Sequence, residues 1–488
     1  MNDLAEKALH GLDVARRRVR DQPMPYLAGL GFVTSSAVVV AGARVGAARA
    51  TRGLTTWLGL ENPRGARAGD SLPGTVMLAA LVALLLLWLL VVELVRRTRQ
   101  PESRVWMVGL VWLAPFAIGP PLLDTSVYSY AAYGLLQRAG RDPYVDSPSD
   151  LGRAHLVAAI DPGARGTPSS AGPLGTMLQH LSVSISSGSA LGAVLVLRAL
   201  GVVAAIMIGR LAAELAGSRR AEAVSLTALN PLVLLYVVSS PHLEGTMLAL
   251  VLAALVAANQ RRWLRAVALA SVAAAITGQA FVVVLVIVVA HRLGRRSGGW
   301  RRLGRDVLVA AGITLAAAVG QPGGFGWVPA IGKQFSAHPP FTIAGAIGRM
   351  LSPIVQDASF DDLAAGGRIT ALAAAACAIG YLLVTARQRA VERTAGYALL
   401  TIGLLAPVLN PWYLLWGTLC LAPVATGPRR TAVIALCVTG CLLTPPGFSG
   451  GVSDAITGVA LVLVAGVVAG VLVVGHRRDA RVAISAGR

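Results

Sequence analysis

A long series of apolar runs, many of them near the length of a bilayer-crossing helix, restricts the folds open to this chain. Of its 488 residues, 55% are hydrophobic and 14% are charged, whereas about 25% of the residues of a soluble domain are charged. A hydrocarbon core about 30 Å thick needs about 20 apolar residues in a helix. The runs are 25–47, 74–95, 105–121, 187–209, 222–238, 242–259, 263–276, 279–291, 306–320, 367–386, 394–409, 411–426, 431–445 and 455–475. We predict an all-α polytopic membrane protein with about 13–14 transmembrane helices in one domain, 1–488.

Basic residues give these runs a direction. The formal net charge is +20, but nearly all of it is arginine in short clusters between the runs. We interpret it as the positive charge of cytoplasmic loops and expect no nucleic-acid partner. We therefore predict a multi-pass plasma-membrane protein with both termini cytoplasmic. Two longer loops, about 122–186 and 321–366, are then extracytoplasmic. The first outer loop, 48–73, is an exception because it also carries arginines.

The topology depends on one break in the chain. Residues 263–291 must form two short helices separated near Thr277-Gly278-Gln279, because a single span would invert every later loop. The basic stretch 292–305 favours this break. The first run, which follows several arginines, is also compatible with a cleavable signal peptide, although we favour a span.

The cysteines give no sign of a metal site. All four lie in apolar runs without metal-ligand spacing, and we expect them to pack as small core residues: Cys377, Cys420, Cys437 and Cys441. We expect neither a metal ion nor another cofactor.

Polar residues collect at the predicted outer ends of the runs. Asp124 follows the third run, and Tyr128 and Tyr130 come just after it, ahead of Asp142 and Tyr144. Tyrosine rings stack on sugars, and a partly desolvated carboxylate can accept a proton from a hydroxyl. A polar cap with tyrosines in the interfacial aromatic belt is the alternative.

Two further outer-end motifs are candidates for the same site. His242 and Glu244 lie at the outer end of the run 242–259, shortly after the run 222–238 ends. An acidic residue at the margin of a membrane helix is costly unless it is paired or functional; His242 could instead cap the turn. Trp412 and Tyr413 begin the twelfth run, where aromatic residues also serve as ordinary bilayer anchors.

A phosphate contact is the last candidate. Lys333 is the only lysine beyond the N-terminal Lys7, and a cation at the membrane surface can hold a phosphate. A solvated loop charge is the alternative. The glycines before it do not have the spacing of a nucleotide phosphate loop.

Taken in order, these stretches resemble the polyprenol-phosphomannose-dependent α-1,6-mannosyltransferases of actinobacterial lipomannan assembly, members of the GT-C membrane glycosyltransferase superfamily. The motifs that carry the resemblance are Val127-Tyr128-Ser129-Tyr130, Asp142-Pro143-Tyr144, Ser170-Ala171-Gly172-Pro173, Asn230-Pro231-Leu232, His242-Leu243-Glu244 and Pro411-Trp412-Tyr413. Two depart from the family pattern, which has a tyrosine at Ala171 and His-Asn-Asp in place of His-Leu-Glu.

The resemblance implies a GT-C-like bundle and an inverting, metal-independent transfer of mannose from polyprenyl-phosphate-mannose to a lipid-linked glycan on the extracytoplasmic face. It implies Asp124 as the general base, the tyrosines, Asp142, His242, Glu244 and Trp412 as substrate contacts, and Lys333, Arg141 or Arg153 on the phosphate. Membrane lipids are the remaining partners. Two alternatives stay open: a transporter or flippase of a lipid-linked sugar, and a non-catalytic glycan-binding relative, which the two departures suggest.

Overall fold

The computed structural model describes residues 23–44, 71–293, 299–336, 360–406 and 409–443, and every structural statement below concerns these residues. The secondary structure within them is helical. In chain order the helices are α1 (Pro23–Gly42), α2 (Ser71–Thr98), α3 (Glu102–Ile118), α4 (Ser126–Arg138), α5 (Ala154–Ala159), α6 (Pro173–Ile185), α7 (Ala190–Leu215), α8 (Arg220–Leu226), α9 (Pro231–Val233), α10 (Leu243–Asn259), α11 (Trp263–Ile276), α12 (Phe281–Leu293), α13 (Gly299–Val319), α14 (Trp327–Ser336), α15 (Phe360–Val384), α16 (Val391–Leu405), α17 (Tyr413–Leu421) and α18 (Pro428–Leu442).

Several of these helices have the length and composition of membrane spans. Within the described ranges, four helices could cross a bilayer by these criteria: Pro23–Gly42, Leu72–Thr98, Ala190–Leu215 and Gly366–Val384. A fifth span results if the pair Gly217–Leu226 and Pro231–Ser239, bent by 57°, is taken as one. Each predicted run from 25–47 to 431–445 overlaps a helix, and 455–475 lies outside the described residues. The prediction of an all-α polytopic membrane protein is confirmed.

The helices pack mainly against their neighbours in sequence. Helix α1 packs on α2 and α3, α10 lies against α7 and α11, and α16 packs on α17. One large apolar cluster runs through these helices and includes the buried tryptophans Trp88, Trp112 and Trp416. Backbone polar groups in lipid must be satisfied within the chain, which is why apolar runs of this kind become helices.

The predicted break between α11 and α12 is present. Helix α11 ends at Ile276, Thr277 is extended (φ −144°, ψ 127°), and a 3-10 turn, Gly278–Ala280, leads into α12. The rings of Trp263 and His291, at the far ends of the two helices, stack with centroids 5.1 Å apart. The two helices therefore form a hairpin. The side of the membrane on which it opens stays a prediction.

The segment 122–186 is folded. Helix α4 packs on α6 at a point where a Cβ on Gly134 would overlap the backbone of Gln179. A second apolar cluster joins these helices to α5 and to the start of α7. The predicted outer loop is thus a small helical layer on the end of the bundle.

Of the four cysteines, Cys420, Cys437 and Cys441 are buried, as predicted. The expectation for Cys377 is wrong because its side chain is exposed. It lies on α15, where the most apolar window is only 11% buried inside the protein. An apolar run does not distinguish a residue facing other helices from one facing lipid.

Candidate functional site

His242 lies at the end of an irregular segment that the sequence around Asn230-Pro231 produces. The Asn230 side chain accepts a hydrogen bond from the Leu232 amide at 3.0 Å, and Pro231 starts α9. A π-helical turn, Leu234–Ser239, follows and is buried along its whole length. Such turns are rare and often occur at functional sites. This one delivers the chain to Pro241-His242 at the start of α10.

His242 stands between two carboxylates that are far apart in sequence. Its Nε2 is 3.4 Å from Asp124 Oδ1, and its Nδ1 is 3.9 Å from Glu244 Oε2. The imidazole is only 2% exposed, whereas Asp124 and Glu244 keep 15% and 14% of their side-chain surface. Asp124 Oδ1 also accepts a hydrogen bond of 2.7 Å from the Ser126 amide, which fixes the carboxylate at the start of α4.

Aromatic rings surround this group. The Trp412 indole stacks on His242 with centroids 4.0 Å apart and planes inclined by 24°. Tyr236 lies 5.4 Å from Trp412 and 6.1 Å from His242, measured between ring centroids. Tyr413 meets Trp412 edge to face. Trp412 and Tyr413 therefore belong to the site, and Trp412, which is 8% exposed, is not placed as a bilayer anchor.

Several polar atoms at this place have no hydrogen-bond partner among the described residues. They are Glu244 Oε2, the Tyr236 hydroxyl and Trp412 Nε1. A buried polar group without a partner costs about 1–3 kcal/mol, and most such groups in proteins are satisfied. Their concentration beside two carboxylates indicates a site that is completed by a polar ligand.

Tyr130 adds a hydroxyl to the same group. Its Oη lies 3.5 Å from His242 Nδ1. Tyr130 is on α4, in the predicted outer segment, and burial raises the pKa of its hydroxyl well above the ordinary value, with the charges of Glu244 and Asp124 adding to the effect. Tyr130 is therefore a neutral hydrogen-bonding group at physiological pH. Tyr128, two residues earlier on α4, is 2% exposed and packs in the second apolar cluster.

The structure places Asp142 and Tyr144 in a different contact. Asp142 Oδ1 accepts a hydrogen bond from the Tyr144 amide at 2.9 Å, and the Tyr144 hydroxyl lies 3.2 Å from Thr176 Oγ1. A Cβ on Gly323 would come within 3 Å of both side chains, and a Cβ on Gly326 would come within 3 Å of Tyr144. The Asp-Pro-Tyr motif thus joins the outer helical layer to the turn before α14.

The predicted phosphate contacts also lie apart. Arg141 forms an ion pair of 2.7 Å with Asp146 and donates to the Asp150 carbonyl. Arg153 donates to the Gly188 carbonyl at 3.4 Å. Lys333 is on α14, which begins at Trp327 beside Gly278, and its side chain lies outside the described part of the structure.

The sequence prediction missed Tyr236. The signal was present, since Tyr236 is the single polar side chain in the stretch 231–238, and a buried tyrosine hydroxyl normally needs a partner. Its position inside an otherwise apolar stretch concealed its role.

Together these residues can bind a polyhydroxylated ligand and accept a proton from it. Aromatic faces can stack on a sugar ring, and unpartnered polar atoms suit its hydroxyls. A carboxylate held beside an imidazole can act as a general base if the proton lies within about 3 Å of it. The arrangement fits group transfer to a hydroxyl.

Comparison with known proteins adds a family likeness. Residues 28–292 match the family described as "Alpha-(1->6)-mannopyranosyltransferase, N-terminal domain", and residues 342–475 match the "MptB C-terminal domain". The first match covers more than half of the chain and contains Asp124, His242 and Glu244. Among solved structures there is no significant match.

Individual relatives extend over most of the chain. An alpha-(1->6)-mannopyranosyltransferase of Mycobacterium tuberculosis is 28% identical over 68% of this chain and 67% of its own length. The alpha-(1->6)-mannopyranosyltransferase A of the same organism is 27% identical over 72% of this chain and 71% of its own. The alpha-(1->6)-mannopyranosyltransferase B of Corynebacterium glutamicum is 25% identical over 73% of this chain and 65% of its own.

Proposed function

This chain belongs to the α-(1→6)-mannopyranosyltransferase family, and we propose that it transfers a mannosyl residue from polyprenyl-phosphate-mannose to a lipid-linked glycan. It is a membrane-embedded glycosyltransferase, and the names of its relatives support mannose as the transferred sugar. The polyprenyl-phosphate donor, the lipid-linked acceptor and the extracytoplasmic location of the reaction are parts of the proposal.

The observation that carries the proposal is the 3.4 Å approach of His242 Nε2 to Asp124 Oδ1, with Glu244 on the other side of the imidazole. Motifs that are weak singly come together around it with Trp412 stacked on the ring. The position at the start of α4 and α10, where the predicted outer ends of two runs meet, suits an acceptor that arrives from outside and a donor that stays in the bilayer.

In the proposed reaction the acceptor hydroxyl oxygen attacks the anomeric carbon of the mannose. The bond from that carbon to the phosphate oxygen breaks, the polyprenyl phosphate leaves as an anion, and Asp124 takes the hydroxyl proton. A general base of this kind contributes about 10²–10⁴-fold in rate. The displacement inverts the anomeric configuration. Glu244 and His242 hold the sugar and orient Asp124.

The departing phosphate needs a cation. Arg141 and Arg153 hold other partners, so we favour Lys333, whose helix α14 starts next to the hairpin turn at Gly278. The distribution of arginines supports the outer membrane face and cytoplasmic termini. Asp142 and Tyr144 are kept as contacts that shape the outer layer around the acceptor.

The test is transfer by the purified full-length protein in lipid. The protein is incubated with radiolabelled polyprenyl-phosphate-mannose and a lipid-linked mannan primer, and the linkage of the product is determined. Asp124→Asn should abolish turnover, since the amide cannot accept the proton. The matched control is Asp161→Asn, which changes an exposed aspartate of the same layer that only binds the Gly163 amide.

Glu244→Gln separates the two carboxylates. We expect turnover to fall but to remain measurable. If Asp124→Asn kept wild-type turnover while Glu244→Gln lost it, the base would be reassigned to Glu244. Movement of the lipid-linked sugar across proteoliposomes without any transfer would instead favour a flippase, and tight binding of polyprenyl phosphate without turnover would favour a non-catalytic relative.

A further inference from the structure

Arg198 is a charged side chain buried in the first half of the apolar helix α7. It is 2% exposed, and the predicted catalytic chemistry makes no use of it. A charge at this depth in a membrane helix is costly and is typically retained for function. The contacts of Arg198 identify what it holds.

The guanidinium joins the two segments that carry the site. Arg198 Nη1 donates to the Gly119 carbonyl, at the end of α3 and shortly before Asp124. Arg198 Nη2 donates to the Ser239 carbonyl at 2.6 Å, at the end of the π-helical turn and shortly before His242. A planar guanidinium can make two such bonds in fixed directions, which a lysine ammonium does not reproduce.

Other contacts bring the same segments together. The Ser240 side chain accepts a hydrogen bond from the Leu122 amide at 3.2 Å, and the Ser239 hydroxyl donates to the Pro120 carbonyl at 3.4 Å. Gly201, one turn after Arg198 on α7, packs so closely that a Cβ there would overlap the Val237 carbonyl. Helix α7 is therefore seated directly on the π-helical turn.

Resting on the proposed function, we propose that Arg198 is a positioning residue that sets the distance between Asp124 and His242. From its place on α7 it holds the segments 119–124 and 239–242 at a fixed separation, without touching substrate. Misplacement of a catalytic group by about 1 Å can cost about 100-fold in rate. Loss of the Arg198 bridge should therefore reduce turnover more than substrate affinity.

The test uses Arg198→Lys and Arg198→Met in the full-length protein. The matched control is Arg210→Met, an exposed arginine on the same helix. We expect both Arg198 variants to increase hydrogen–deuterium exchange in 119–124 and 239–244 and to lower kcat with KM changed less than about threefold. Arg198→Met should lower kcat about 100-fold. Arg198→Lys should be the milder variant, because it retains the charge.

Exchange and activity decide separate points. Unchanged exchange in both segments would overturn the bridge whatever the activity. Increased exchange with normal kcat, or a rise in KM alone, would overturn the positioning role. If wild-type protein transfers no mannose, the proposed function fails while the exchange experiment still decides the bridge. If Arg198→Met does not fold, Arg198→Lys provides both readouts.

Discussion

The imidazole of His242 stacks on the indole of Trp412 with ring centroids 4.0 Å apart. This contact joins the segment after the π-helical turn to the segment that starts α17. It holds the imidazole plane while the Nε2 edge faces Asp124. The orientation of the site thus depends on an aromatic residue that takes no part in proton transfer.

Trp412→Ala should therefore reduce turnover about 10–100-fold, because His242 is no longer held in one plane. Trp412→Phe keeps an aromatic face and should lose much less. The measurement is kcat for mannosyl transfer. The control is Trp300→Ala, which changes an exposed tryptophan (75%) on α13. Equal losses in Trp412→Ala and Trp300→Ala would refute the role of the stacking contact.

Tyr236→Phe and Tyr144→Phe should have opposite effects. The Tyr236 hydroxyl is buried without a described partner, so its removal should leave stability unchanged or slightly higher while turnover falls about fivefold for one lost substrate hydrogen bond. The Tyr144 hydroxyl already lies beside Thr176, so its removal should cost about 1 kcal/mol of stability with little change in turnover. Thermal denaturation and kcat are measured for both, and the reversed pattern would exchange their roles.

Tyr130→Phe should lower activity without moving the pH profile. Because the pKa of Tyr130 is raised well above its ordinary value, the hydroxyl is protonated throughout the working pH range. Its ionisation therefore cannot cause a fall in rate at alkaline pH. Loss of one hydrogen bond predicts a decrease of about fivefold. The rate is measured from pH 6 to about pH 10. A fall in rate at alkaline pH that is seen in the wild-type protein and is absent from the variant would contradict this interpretation.

Gly172→Ala should destabilise the fold. The Gly172 amide donates to the Ile276 carbonyl at 2.9 Å, and a Cβ at Gly172 would overlap the Ala275 carbonyl. The end of α11 cannot move away easily, so we expect a loss of about 1–3 kcal/mol, seen as a lower thermal midpoint in detergent. Gly166→Ala is the control, because a Cβ there meets nothing within 4 Å. A thermal midpoint equal to that of the control would show that the hairpin end is free to shift.

Local features of the site could be predicted because they depend on residues close in sequence. The α11 and α12 break follows from the polar Thr277-Gly278-Gln279 between two apolar runs, and the start of α9 follows from Asn230-Pro231. Asp124, His242 and Glu244 were identified as polar residues at the margins of membrane helices. Tyr236 and the role of Arg198 were not identified, because both residues lie inside runs that are otherwise apolar.

The order of amino acids was enough to predict a helical membrane protein, to place its apolar runs and to find the outer-end motifs that carry the family likeness. Which of these motifs meet became known from the folded chain. It brought Asp124, His242 and Trp412 together, placed Asp142 and Tyr144 against a different turn, and joined Arg198 to the backbone before Asp124 and before His242. The spacing of apolar residues along the chain determines where helices form. The neighbours of a residue across the bundle depend instead on how the helices pack and on which backbone carbonyls an irregular turn exposes.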